Sequence, residues 1–409
     1  MTKLETTAPT GSLSRAGLRR VLAVLCLTEI TSWGILFYAF PVLAVSISDD
    51  TGWSLPTITA AFSLGQLAAA LTGIPVGRTL DRIGPRTVMT LGSLLSVVAV
   101  VVIATAPSPA VFFLGWILAG AAMGAVLYPP AFAALTRWWG ADRLEALMIL
   151  TLAAGLASTV FAPLTAVLDA HNGWRTTYLI LAVILAIVTV PAHWFGLHGP
   201  WPDAPAAVHD AFADHATVIR SRGFVMLVIT LCLAAFATSA AVFNLVPLLQ
   251  ERGFSPALAA WALGLGGAGQ VLGRIGYLPL AARTTVLTRT LTILAATALA
   301  TALLGLATGT TVLIAVSIGA GLVRGAFTLI QATAITDRWG ATHYGRLNGL
   351  LSAPVVIVMA LAPWAGTALS AWTGSYAHAY LALAAIAALA VLTGTTAGVP
   401  APPGKAVGA

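Results

Sequence analysis

Residues Gly77–Arg86 read GRTLDRIGPR. Three arginines and one aspartate fall within ten residues, and long apolar runs flank them on both sides. A short charged segment between two apolar runs is the aqueous loop between two membrane helices. Its arginines assign it to the cytoplasmic side. The fold class then follows from what the loop interrupts: an all-α membrane protein.

Composition agrees. Of 409 residues, 59% are hydrophobic and only 8% are charged, with a mean hydropathy of +0.94. A water-facing globular chain carries about 25% charged residues, so lipid must be most of this chain's solvent. The net charge of +7 is spread over short loops rather than gathered in a stripe, which argues against nucleic acid as a partner. Cys26 and Cys232 lie in apolar runs and read as small core residues, not as a disulfide or metal framework. The histidines show no paired metal spacing. Gly264–Gly269, GLGGAG, lies inside an apolar run with no strand before it, so no nucleotide cofactor is expected. No Walker-type phosphate loop is present, which disfavours ATP-driven transport. Residues 1–17 are polar and lead into a full-length span without a cleavage pattern, so no signal peptide is expected.

A spanning helix needs roughly 20 apolar residues. Twelve are predicted, near 19–47, 54–77, 86–106, 110–136, 144–168 and 175–198, then 222–250, 256–276, 286–306, 311–336, 346–371 and 376–396. This divides the chain into a cytoplasmic N-terminal segment (1–18), a six-helix half (19–198), a cytoplasmic linker (199–221), a second six-helix half (222–396) and a cytoplasmic tail (397–409). With both termini inside the cell membrane, almost every lysine and arginine, Arg274 and Arg289 among them, falls on the cytoplasmic side. Only Arg175 and Arg252 fall outside, and Arg324 is left within a span. Residues 206–219 of the linker have the pattern of an interfacial amphipathic helix or of a solvated connector.

The halves repeat weakly. Gly253-Phe254-Ser255 follows Gly52-Trp53-Ser54 by 201 residues, and Arg338-Trp339 follows Arg137-Trp138 by the same interval. Gly65-Gln66 and Gly269-Gln270 also match in type. Repeated halves are how many transporters place a site at the midplane. The counterpart of the charged loop, from Gly273-Arg274 to Arg289, keeps arginines and lacks an aspartate.

The pattern Gly77-x3-Asp81-Arg82-x-Gly84-x-Arg86 resembles the signature loop between helices 2 and 3 of the major facilitator superfamily. Gly173-Trp174-Arg175 is similar to another recurring element of that superfamily. Ser32-Trp33-Gly34 through Tyr38, Leu127–Phe132 and His343-Tyr344-Gly345 resemble a bacterial group near its monocarboxylate-transporter-like members. The resemblance implies two pseudo-symmetric six-helix halves, alternating access, and a central cavity lined by helices 1, 4, 7 and 10. It also implies a conformational latch made of Gly77, Asp81, Arg82, Gly84 and Arg86. In that latch the aspartate pairs with the end of a neighbouring helix, and its absence from the second copy confines the latch to the first half.

Two charged residues lie well inside the spans, Glu29 on helix 1 and Arg324 on helix 10. An ionisable group in hydrocarbon costs roughly 2.5–3.5 kcal/mol on insertion scales and is a functional candidate by default. Either the two neutralise each other across the halves, or Arg324 receives an anionic substrate group while Glu29 carries a proton or meets a cation. Arginine suits a carboxylate because its planar fork donates two parallel hydrogen bonds. Trp33, Tyr38, Tyr128, Asn244 and Gln331 lie on the same helices and complete the candidate site, with packing as the alternative role for each aromatic. The expected function is a monomeric, proton-coupled secondary transporter of a small organic anion. The alternatives are proton-driven efflux of a drug or toxic compound and, further off, a non-transporting receptor or sensor. No enzyme constellation is visible.

Overall fold

The computed structural model describes residues 13–201, 218–339 and 344–397. Among them ten helical segments are long and apolar enough to cross a bilayer. One of the ten, Glu145–Gly196, runs for 52 residues and is two helices, because Gly173 breaks it with φ +71° and ψ 164°. A further 28-residue helix, Pro256–Arg283, is long enough to span but carries Arg274. The described residues therefore build twelve helical rods, as expected, with ends that differ by several residues from the sequence-based ones.

The rods are α1 (Arg15–Thr51), α2 (Leu55–Ile83), α3 (Pro85–Thr105) and α4 (Pro109–Trp139). After Gly140–Asp142, α5 covers 143–172 and α6 covers 174–196. The second set comprises α7 (Arg222–Phe243, continuing as Leu245–Glu251), α8 (Pro256–Arg283), α9 (Val286–Leu306), α10 (Thr310–Thr333), α11 (Tyr344–Thr373) and α12 (Tyr376–Thr396). The sequence marks their starts. Ser14, Ser221, Ser255, Thr285 and Ser375 each accept a backbone N–H of the first turn of α1, α7, α8, α9 and α12, which satisfies a donor that has no partner inside the helix. Gly84 adopts φ +81° before Pro85, a conformation only glycine takes without strain, and so sets the corner between α2 and α3.

Packing divides the chain into two units. Unit 1 comprises Met1–Phe40, Gly65–Ala157 and Leu168–Val208. Unit 2 comprises Pro41–Leu64, Ser158–Val167 and His209–Ala409. In unit 1 a core of Val21, Leu25, Met89, Leu135, Leu150 and Leu197 joins α1, α3, α4, α5 and the end of α6. In unit 2 one core gathers Leu231, Tyr277, Leu294, Phe327 and Leu351 from α7 to α11. A second core there brings Val42 of α1 and Ala162 of α5 against Leu245, Leu263, Leu313 and Tyr380. Large apolar side chains such as Leu71, Ile187 and Leu278 stay exposed, as lipid-facing residues do.

The sharpest trace of the repeat is a pair of glycine seams. A Cβ on Gly120 of α4 would strike the carbonyl of Gly65 on α2, and a Cβ on Gly321 of α10 would strike that of Gly266 on α8. One turn on, Gly124 meets the carbonyl of Ala69, and Gly325 meets that of Gln270. Each member of the second seam lies 201 residues after its mate. This corrects the pairing of Gly65 with Gly269: its structural mate is Gly266. Small residues let two backbones approach where lipid offers no hydrophobic drive for helices to associate. The GLGGAG run is part of this seam.

Candidate functional site

Glu29 lies in unit 1, about one turn before the middle of α1, and is fully buried. Neither carboxyl oxygen has a hydrogen-bond partner among the described residues. The indole N–H of Trp33, one helical turn on, is buried and closes no hydrogen bond. Directly after Trp33 the helix loosens into a π-turn, Gly34–Tyr38, closed by the Ala39 N–H on the Gly34 carbonyl. Such one-turn bulges re-aim side chains and are frequent at functional sites.

The facing stretch of α4 is broken too. Leu127 is extended (φ −89°, ψ −163°), and the helix restarts at Tyr128-Pro129-Pro130. Proline has no backbone N–H to continue the ladder, so the break follows from the sequence. The two irregular turns meet through aromatic rings. Trp33 lies 5.1 Å from Tyr128 and 4.9 Å edge-on to Phe37, and Tyr128 stacks on Phe132 at 4.9 Å. Tyr38 packs edge-on to Phe37 at 5.2 Å and is otherwise buried. Glu29, Trp33, Tyr38 and Tyr128 are thus gathered in one place. Phe37 and Phe132, which complete the cluster, are absent from the sequence-based candidates, although each stands four residues from one of them.

The candidates of unit 2 are not gathered. Arg324 lines a small cavity among α7, α8, α9 and α10, beside Thr238, Thr297, Thr301 and Ser317. Thr297, Thr301 and Ser317 donate their hydroxyl hydrogens to backbone carbonyls four residues back, leaving lone pairs for a cation. Asn244 does not line this cavity. It sits at the break of α7, donates to the Ala240 carbonyl at 2.8 Å and accepts from Thr367 of α11 at 2.8 Å. Gln331 is half-buried, two turns beyond Arg324, and outside the cavity as well.

Arg274 counts among the expected cytoplasmic charges, near the end of a helix predicted to stop at 276. It is instead 7% exposed inside α8, which continues nine residues further, on the same buried face as Gln270 and Tyr277. The apolar residues on both sides of it were the available signal.

The segment Gly77–Arg86, expected as a loop, is almost wholly helical: α2 runs on to Ile83 and α3 starts at Pro85, so Asp81 stands on the last turn of α2 and Gly84 alone makes the corner. Asp81 takes an ion pair from Arg137 at the end of α4, at 2.5 Å. Arg137 and the Trp201 indole also donate to the Asp81 backbone carbonyl, and Trp201 packs over Gly84. Arg86 donates to the Trp194 carbonyl at 2.8 Å and lies over that ring. Gly77 has open space where a side chain would stand. Arg175 of the Gly173-Trp174-Arg175 element donates to the carbonyls of Ala104 and Ala106 and so ties α6 to the end of α3.

The second half carries a corner ion pair of its own. Arg289, at the start of α9, pairs with Asp337 beyond the end of α10. Arg338, the repeat mate of Arg137, finds alanine at 282 where Arg137 finds Asp81. It turns to the carbonyls of Ala334 and Ala397 and to Thr290 instead. The acid has moved from the last turn of the second helix of its half to just beyond the fourth, so the polarity of the pair is reversed. Residues 202–217, which include most of the proposed amphipathic segment, and His343 lie outside the described residues.

Twelve apolar rods in two repeated sets, a charged corner closed by an ion pair and an ionisable group buried in a broken helix are the marks of a polytopic membrane transporter. The chain belongs to the Major Facilitator Superfamily, whose sequence pattern matches residues 22–310. It is a multi-pass secondary transporter of that family. It is 25% identical to monocarboxylate transporter 13 of Rattus norvegicus over 349 residues, covering 80% of this chain and 77% of that one. A shorter match, 32% over 99 residues and 24% of each chain, is to the multidrug resistance protein MdtH of Cronobacter sakazakii. Among solved structures, an inward-facing bacterial homologue of the lysosomal transporter Spinster superposes with a TM-score of 0.77 at 15% identity, covering 94% of this chain and 98% of that one. The nucleoside transporter NupG gives 0.76 at 13% identity, covering 93% and 99%. At those identities the structures speak for the fold alone.

Proposed function

We propose that this chain is a proton-coupled transporter of a small organic anion in the cell membrane, with both termini cytoplasmic. Glu29 carries the proton and Arg324 receives the anion. Trp33, Tyr38 and Tyr128 shape the cargo surface on the first half, and Asn244 and Gln331 are its polar candidates on the second. The observation that carries this reading is the fully buried Glu29 carboxyl with neither oxygen hydrogen-bonded. An ionised, unpartnered carboxylate in an apolar interior costs several kcal/mol. The site therefore tolerates the protonated form and favours the charged one only when water or a cation reaches it, which is the behaviour of a proton carrier. The similarity to a monocarboxylate transporter supports the anion. The concentration of arginines at residues 77–86 and at the helix ends near them supports the orientation.

A second reading has its own support. The cluster of Trp33, Phe37, Tyr128 and Phe132 beside a lone acid suits a flat, apolar cation as well, and MdtH is a multidrug resistance protein. Proteoliposomes separate the two. Labelled carboxylates and cationic dyes are offered with and without an inward proton gradient. On the anion reading, carboxylate uptake follows the gradient, Glu29→Gln abolishes net uptake while exchange of internal for external substrate persists, and Arg324→Ala abolishes both. Uptake that Glu29→Gln leaves responsive to the gradient sinks the proton role.

A further inference from the structure

We propose that a groove between α3 and α6, at the arginine-rich end of unit 1, binds an anionic glycerophospholipid. One acyl chain lies along the groove and the phosphate rests on Arg86 and Arg20. The groove has a volume of about 370 Å³ and an apolar lining that includes Leu91, Leu94, Val190, Trp194 and Phe195. The hydroxyl of Thr90, in the lining, spends its hydrogen on the Arg86 carbonyl at 2.7 Å and so has none to donate to a ligand.

The π-turn Ala192–Gly196 turns Trp194 and Phe195 outward, 42% and 71% exposed. Exposed aromatics at the end of a spanning helix sit at the level of lipid headgroups. From Arg86 to Leu94 the groove descends about 12 Å along α3, close to the depth of one leaflet in a hydrocarbon core about 30 Å thick.

Charge complementarity selects the occupant. Arg86 is fixed by its Nε donation to the Trp194 carbonyl and by its seat 4.1 Å over that ring, and one terminal nitrogen lies 3.5 Å from Nδ1 of His198. Arg20 donates to the His198 carbonyl. The two guanidinium groups are thus tethered to one short stretch of backbone, and among the described residues neither has a carboxylate partner. Asp81, the acid of the neighbouring corner, is engaged with Arg137. Two positioned forks with donors to spare match a phosphodiester, and basic pockets between membrane helices are where anionic headgroups bind. A zwitterionic lipid would bring its own cation to a site that has no free acid to receive it among the described residues.

The test is native mass spectrometry of delipidated full-length protein titrated with dioleoyl phosphatidylglycerol and dioleoyl phosphatidylcholine in equal amounts. Phosphatidylglycerol is expected to be retained preferentially. Arg86→Gln and Arg20→Gln should each lower that preference about fivefold, since one interfacial cation is worth about 1 kcal/mol. Leu91→Trp, a change at a lipid-exposed position, should fill the groove and lower retention with every charge intact. Arg222→Gln, at an exposed arginine of unit 2, should change nothing. Thermal melting checks that each variant is folded. Equal retention of the two lipids by the unaltered protein overturns the proposal. So does wild-type retention by both Arg86→Gln and Leu91→Trp, and so does displacement of phosphatidylglycerol by glycerol 3-phosphate, which would mean that the groove holds no chain.

Discussion

Alanine at Gly321 and alanine at Gly319 should have opposite effects, although the two positions share a helix and lie two residues apart. A Cβ at Gly319 has no heavy atom within 4 Å. Gly319→Ala therefore leaves packing untouched and gains helix propensity, about 1 kcal/mol at most. A Cβ at Gly321 would sit about 1 Å inside the 3.0 Å limit that real Cβ atoms respect, against the backbone of Gly266, and overpacking of that kind costs about 1–3 kcal/mol. No flexible side chain can give way there, because the obstructing atoms are main chain, so α8 and α10 must part. The two variants should thus differ by about 2–4 kcal/mol. At roughly 2–4 °C per kcal/mol this is a gap of at least about 4 °C in Tm, measured by tryptophan fluorescence on purified protein in detergent. Gly120→Ala, facing Gly65, should fall by a similar amount, and Gly73→Ala, with open space around it, should not. Equal melting temperatures for Gly319→Ala and Gly321→Ala would refute the seam as a packing constraint.

Three further outcomes are expected. Asp81→Asn leaves the 9%-exposed Arg137 without its acid but removes a pair whose aspartate is 58% exposed, so stability should change by about 1 kcal/mol or less. If the corner is a latch, turnover in proteoliposomes should fall while substrate KM stays nearly constant, and an unchanged turnover counts against it. A double-mutant cycle on Arg289→Gln and Asp337→Asn, read by thermal melting, should give a coupling of about 1–2 kcal/mol, and additive effects would mean that the pair contributes nothing. Asn244→Leu should destabilise by about 1–3 kcal/mol by stripping the break of α7 of its bridge to Thr367. A variant as stable as the parent would show that the bridge has no structural weight.

The architecture was readable because hydrocarbon leaves few choices: a spanning backbone must satisfy itself as a helix, and apolar length reports each crossing. The turn at Gly173 was readable from the polar residues Asp169–Arg175 around it. What escaped did so for local reasons. The ion pair of Arg289 and Asp337 escaped because the repeat predicts the acid at 282, where alanine stands, whereas the acid lies beside the repeat mate of Arg137. Arg274 escaped because counting basic residues by side treats each one near a span end as a loop charge. Trp33 and Tyr128 were legible as candidates, while Phe37 and Phe132 are apolar residues in apolar spans and carry no polar signal of their own. Asn244 was legible as a polar residue in a span. Its amide, already engaged with Ala240 and Thr367, shows why residue type alone does not separate a cargo contact from a brace.

The turn at Gly173 also bears on how topology is read with reporters. Hydropathy alone makes one crossing of Glu145–Gly196 and passes over Pro256–Arg283. The two omissions cancel in the total, so both termini keep their side, but every loop between them changes hands. A pH-sensitive fluorescent protein inserted directly after Trp201 would then be assigned to the compartment opposite one inserted at Gly84. The contact of Trp201 with Gly84 and Asp81 puts both insertions in the same compartment.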